Sequence, residues 1–222
     1  MEQDKLRELK IQLRRHMNGT TAAIMKGLDD AYAANYGLSL QHARDVAAQI
    51  ELSPDDCDYL WGTRWRDFML IAAAAMLQYD PEPERLMPWV AAIPSSEMVE
   101  MLPFLLTGKL SRAMPLAQSL ALRSEGFDFA VALNTAARSL QSQGVTPASP
   151  GVVESLLSNA VARPSWSMPE AAALSFLARQ CLRRNVAPAL VTRVKEVALA
   201  RPDAHSRLVA QQIDDEILLL NP

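Results

Sequence analysis

The chain has 222 residues, half of them hydrophobic, with 21% charged side chains and a formal net charge of −3. Such a composition can bury a substantial core, and it excludes both a disordered chain and the strongly basic balance of a dedicated nucleic-acid binder. The only two cysteines, Cys57 and Cys181, stand far apart, which excludes a disulfide framework and a CxxC motif and points to a reducing, cytoplasmic setting.

Taken in order, the chain reads as helices separated by short breaks. Met1 to Met17 places Leu6, Leu9 and Leu13 on one face with basic residues around it, too polar for a signal peptide. Asn18-Gly19 ends that helix, and Asn18 or Thr20 caps a second one running toward Tyr32. Asn35-Tyr36-Gly37 is a turn, Ser39 caps a helix through Ile50, and Ser53-Pro54-Asp55-Asp56 combines a cap, a first-turn proline and two carboxylates. From Trp61 to Gln78 the spacing of Trp65, Phe68, Ala72 and Met76 predicts one buried helix, with Arg64 and Asp67 reaching outward.

Beyond Gln78, Pro81 and Pro83 start a helix through Ile93, and Ser95 or Ser96 caps another through Leu106 that Thr107-Gly108 closes, both shortened or kinked, by Pro88 and Pro103. Further helices follow at about Arg112 to Arg123, Phe127 to Gln141, Pro150 to Val161, Met168 to Arg184, Ala187 to Ala200 and Ala204 to Leu219. Ser167 and Glu170 have capping-box spacing. No alternating run is long enough for a strand, and no stretch reaches the roughly 18 apolar residues of a membrane span. The expected fold is all-α, a single domain over residues 1–222, with Gln143 to Gly151 as the one candidate internal boundary. About a dozen short helices favour stacked helical pairs over a four-helix bundle.

Three short motifs carry a resemblance. Asn35-Tyr36-Gly37-Leu38-Ser39, then Leu60-Trp61, then Arg66-Asp67 opening an alanine-rich helix, resemble the N-terminal half of the DNA alkylation repair family, the HEAT-like alkylpurine DNA glycosylases; the match spans roughly residues 17 to 80. The resemblance implies a curved α-solenoid of HEAT-like helical pairs, an α-α superhelix. It also implies a catalytic carboxylate in a Trp-Asp-x-Val-Asp motif, matched here by Ser96-Glu97-Met98-Val99-Glu100. Glu100 then stands for the aspartate and Ser96 for the tryptophan. The longer side chain displaces the carboxylate by about 1 Å, a shift that can cost ~100-fold in rate. The family's DNA-contacting arginines correspond to Arg112, and its second aromatic falls near Ala173 to Phe176, with Trp166 just before that helix.

Charge is distributed unevenly. Residues 51–100 hold ten acids and three bases, whereas residues 179–207 hold seven bases and two acids. On the helix from Met168, Ser175, Arg179 and Arg183 share a stripe that can track phosphates or pair with acids elsewhere in the fold. Arg66 and Asp67 either tie neighbouring helices together or present Arg66 to a phosphate, the first being favoured inside an apolar helix. His16, His42 and His205 are widely separated, with no metal-ligand spacing, and no glycine-rich phosphate loop is present, so no cofactor or metal is expected. Two functions fit. One is a DNA alkylation repair-like protein that holds double-stranded DNA through Arg112, Arg179 and Arg183 and acts through Glu100. The other is a non-catalytic HEAT-like scaffold that binds a protein partner, for which the acidic block is the pointer.

Overall fold

A computed structural model describes residues 1–28, 31–123 and 125–220. Among them thirteen α-helices form: α1 (Gln3–His16), α2 (Gly19–Leu28), α3 (Leu40–Gln49), α4 (Pro54–Gly62), α5 (Arg66–Met76), α6 (Pro83–Ala91), α7 (Ser96–Leu105), α8 (Ala113–Arg123), α9 (Asp128–Gln143), α10 (Ser149–Ala162), α11 (Met168–Arg184), α12 (Pro188–Ala200) and α13 (Ala204–Leu220). The protein is all-helical, with one isolated parallel bridge between Ala34 and Trp65 among the described residues. No described helix is long and apolar enough to cross a membrane. The chain divides into two compact units, Met1–Leu106 and Thr107–Pro222. The Gln143 to Gly151 segment therefore joins α9 to α10 inside the second unit.

Local chemistry explains most helix starts. Ser39 Oγ accepts from the His42 amide at 3.2 Å. Ser53 and Asp56 satisfy each other's backbone amides at 3.1 Å, closing a capping box at α4. Glu170 accepts from the Ser167 amide at 2.7 Å and opens α11. The helix predicted toward Tyr32 ends at Leu28, and residues 29–30 lie outside the described part.

The predicted helix from Trp61 to Gln78 is divided. α4 stops at Gly62, Arg64 adopts a left-handed conformation with φ +56°, and α5 begins at Arg66. An extended segment is hydrogen-bonded into this break, with the Ala33 amide donating to Arg64 O and the Arg66 amide to Ala34 O, both at 2.9 Å. These bonds offset a conformation that a residue with a Cβ adopts rarely. Asp67 points inward rather than outward, and ten of the eleven residues of α5 are buried.

In the first unit α5 packs on α3, α4 and α7, and its four consecutive alanines allow close approach. Trp61 stacks on Trp89 with ring centroids 4.5 Å apart, and its Nε1 donates to Trp89 O at 3.0 Å. In the second unit α9 packs on α8 and α11, α11 on α13, and α10 on α8 and α12. Helices two apart in sequence thus lie side by side. Cys57 and Cys181 are buried in separate units, and desolvation pushes both thiols up to about 12, so they act as small apolar packing groups.

Candidate functional site

The motif residues of the first unit meet in one polar network at the start of α5. Asp67 is fully buried, and its carboxylate accepts from the Tyr36 amide at 2.7 Å and the Leu38 amide at 2.8 Å. Gly37 stands between those two amides with φ +72°, and a Cβ there would collide with the Asn18 carbonyl. Arg66 donates through Nε and Nη2 to Glu97 at 2.7–3.0 Å, and through Nη1 to Leu38 O at 3.0 Å.

Glu97 is the next member. Its Oε2 accepts from the Tyr32 hydroxyl at 2.9 Å, and that hydroxyl accepts from Ser95 Oγ at 2.6 Å. Burial pushes the Tyr32 hydroxyl well above the ordinary phenol range, which keeps it a proton donor to the carboxylate. Arg66 is thereby occupied within the fold.

Glu100 lies one turn beyond Glu97 on α7 and is exposed, as is Ser96. Arg112 precedes the first residue of α8 and is exposed, and its carbonyl accepts from the Leu116 amide at 3.0 Å. Glu100 belongs to the first unit, whereas Arg112, Arg179 and Arg183 belong to the second. Trp166 is buried, donates through Nε1 to Ala160 O at 3.0 Å, and is covered by the Arg201 guanidinium 4.1 Å from its ring centre. It serves packing.

The second unit carries a continuous surface constellation on α9, α11 and α13. Phe176 and Arg179 of α11 are half-buried and Arg183 is exposed, and they share a stripe by i, i+3 and i+4 spacing. Ser175, expected on this stripe, instead faces inward and donates to Ala171 O at 2.9 Å. Arg138 of α9 lies 4.6 Å from the centre of the Phe176 ring, and Arg179 lies 6.0 Å from it. Arg179 Nη1 donates to Gln212 Oε1 at 3.0 Å, and Arg183 holds Glu216 through two hydrogen bonds of 2.6 and 2.8 Å. The hydrogen bonds from Arg183 hold the Glu216 carboxylate below the usual range, so it stays charged although only 3% exposed. Arg138, Arg179 and Arg183 thus place three guanidiniums on this row, with the Glu216 carboxylate held by the last of them.

Arg138 and Phe176 complete the constellation, and neither was selected from the sequence as a ligand contact. Phe176 sits at stripe spacing beside Arg179, a signal that could have found it; Arg138 is brought in by the packing of α9 on α11, for which the sequence holds no marker. The structure also brings His16 and His42 together, with stacked rings 4.3 Å apart, although they lie on different helices. Comparison of the chain with protein-family models, with curated proteins and with solved structures found no match.

Proposed function

We propose that the protein is a DNA alkylation repair-like, HEAT-like helical-repeat protein that holds double-stranded DNA through the α9–α11–α13 face. The observation that carries the reading is the Arg138–Phe176–Arg179–Arg183 row: guanidiniums at this spacing engage backbone phosphates, and a phenyl ring flanked by two of them is a surface on which an unstacked base can rest. The packing of helices two apart within each unit favours a solenoid of helical pairs. Arg112 extends the cationic set along the chain, and Glu100 is the carboxylate assigned to chemistry by the family resemblance.

Two assays test the reading. Gel-shift titration at low salt should show duplex binding that weakens in Arg138→Ala, Phe176→Ala and Arg183→Ala. Incubation with alkylated duplex reports base release, and any release should disappear in Glu100→Gln. Absence of duplex binding at low salt sinks the proposal. Salt-insensitive capture of a protein partner on the first unit, whose sequence holds sixteen acids and ten bases, would favour the non-catalytic scaffold instead.

A further inference from the structure

The end of α1 and the starts of α2 and α3 line an open pocket of about 420 Å³ that none of the roles above uses. Its walls include Arg15 and His16 from α1, Asn18 and Thr21 from α2 and its cap, and Ser39 and His42 from α3 and its cap. Arg66 lines it as well, but each of its nitrogens already donates to Glu97 or Leu38 O. Among the described residues that line it there is no aspartate or glutamate. Cationic and neutral donors therefore converge on a space that no lining carboxylate neutralises.

The geometry favours an anion with several acceptor oxygens. Arg15 adds a guanidinium to the lining, and the stacked His16 and His42 rings, 4.3 Å apart at 28°, place two imidazoles beside each other. The first turns of α2 and α3 bring the positive ends of two helices to the pocket, although Asn18 Oδ1 and Ser39 Oγ already accept from the Thr21 and His42 amides there and the negative end of α1 opposes them in part. Thr21 and Ser39 add hydroxyls; Ser39 Oγ already accepts from the His42 amide and keeps its O–H to give. Lining residues from three elements offer a phosphoryl group, with its three or four oxygens, more partners than a carboxylate could use. The volume falls within the roughly 300–1,000 Å³ of small-molecule sites, larger than inorganic phosphate alone requires.

We infer that this pocket binds a phosphoryl group, carried by a small phosphorylated molecule or by a nucleic-acid backbone. The site lies wholly in the first unit and does not depend on the reading of the α9–α11–α13 face. The test is NMR of the His16 and His42 side chains in the full chain, at constant ionic strength, with inorganic phosphate, a mononucleotide and a short duplex titrated in turn. Phosphate and the mononucleotide should produce saturable shifts at both histidines, and Arg15→Gln should weaken binding by roughly tenfold, the loss of one charge-assisted contact. Arg15 is exposed, so this variant keeps the fold; His42→Gln should give a comparable loss with an unchanged melting temperature. Displacement of the mononucleotide by duplex assigns the phosphoryl group to a nucleic-acid backbone, and retention assigns it to a small ligand; both support the site. Overturning results are no saturable shift with any of the three probes, shifts that chloride reproduces, or undiminished affinity in Arg15→Gln.

Discussion

Two arginine–glutamate pairs, one in each unit, share a geometry and differ in which partner is buried. In the first unit the Arg66 side chain is 9% exposed and Glu97 27%; in the second Arg183 is 46% exposed and Glu216 3%. A buried guanidinium whose three nitrogens all donate to groups of the fold ties elements together. A buried carboxylate beneath an exposed guanidinium fixes the orientation of a cation that solvent, or a phosphate, can still reach. Similar sequence elements thus serve the interior in one unit and the surface in the other.

Substitutions can break this contrast, and the largest effects belong to the first unit. Asp67→Ala leaves one buried and one half-buried amide without an acceptor and should cost about 4 kcal/mol, at roughly 1–3 kcal/mol per orphaned group. Thermal denaturation should register it as a fall in Tm of about 10 °C, at roughly 2–4 °C per kcal/mol for a chain of this size. Arg66→Ala should cost about 3 kcal/mol, the low end for breaking a buried pair, because Glu97 retains some hydration. A melting temperature unchanged by Arg66→Ala would place that side chain outside the structural role.

The second pair predicts a split between stability and binding. Arg183→Ala should weaken duplex affinity and also lower stability by about 2 kcal/mol, since Glu216 is left buried without its partner. Glu216→Gln should instead tighten duplex binding severalfold, because it removes the carboxylate paired with Arg183 while Arg183 remains hydrated. If both variants lose affinity equally, the pair acts as a structural unit and the contrast with Arg66 fails.

The smallest effect concerns pH. Glu216 has its folded value depressed by Arg183 below its reference of 4.5, so its contribution is present above that value and lost as pH falls through the lower folded one. The stability gap between the wild type and Arg183→Ala should therefore be widest above about pH 4.5 and narrow as pH falls below it. Circular dichroism above and below about pH 4.5 reads the difference.

Helix existence and most helix starts were legible because capping is local: Ser53 with Asp56, and Ser167 with Glu170, announce α4 and α11 within four residues. The break at Thr63 to Trp65 was not legible. Its left-handed residue is an arginine rather than a glycine, and the apolar spacing runs through it undisturbed. The bonds that stabilise it come from Ala33 and Ala34, about 30 positions away. The inward turn of Asp67 has the same origin. The Tyr32–Glu97 contact joins residues 65 positions apart, and the Arg138–Phe176 and His16–His42 contacts depend on which helices pack together. Sequence periodicity assigns a residue to a face of its own helix, but it does not name the neighbour across the gap.

The most direct measurement is the salt dependence of duplex binding, followed by fluorescence anisotropy, for the wild type and for Arg138→Ala. A face that contacts phosphate through three guanidiniums should give a slope of log affinity against log salt near −3, at about −0.9 per phosphate, and removing Arg138 should bring it close to −2. A slope near zero, or a slope that Arg138→Ala leaves untouched, would contradict DNA binding by the α9–α11–α13 face.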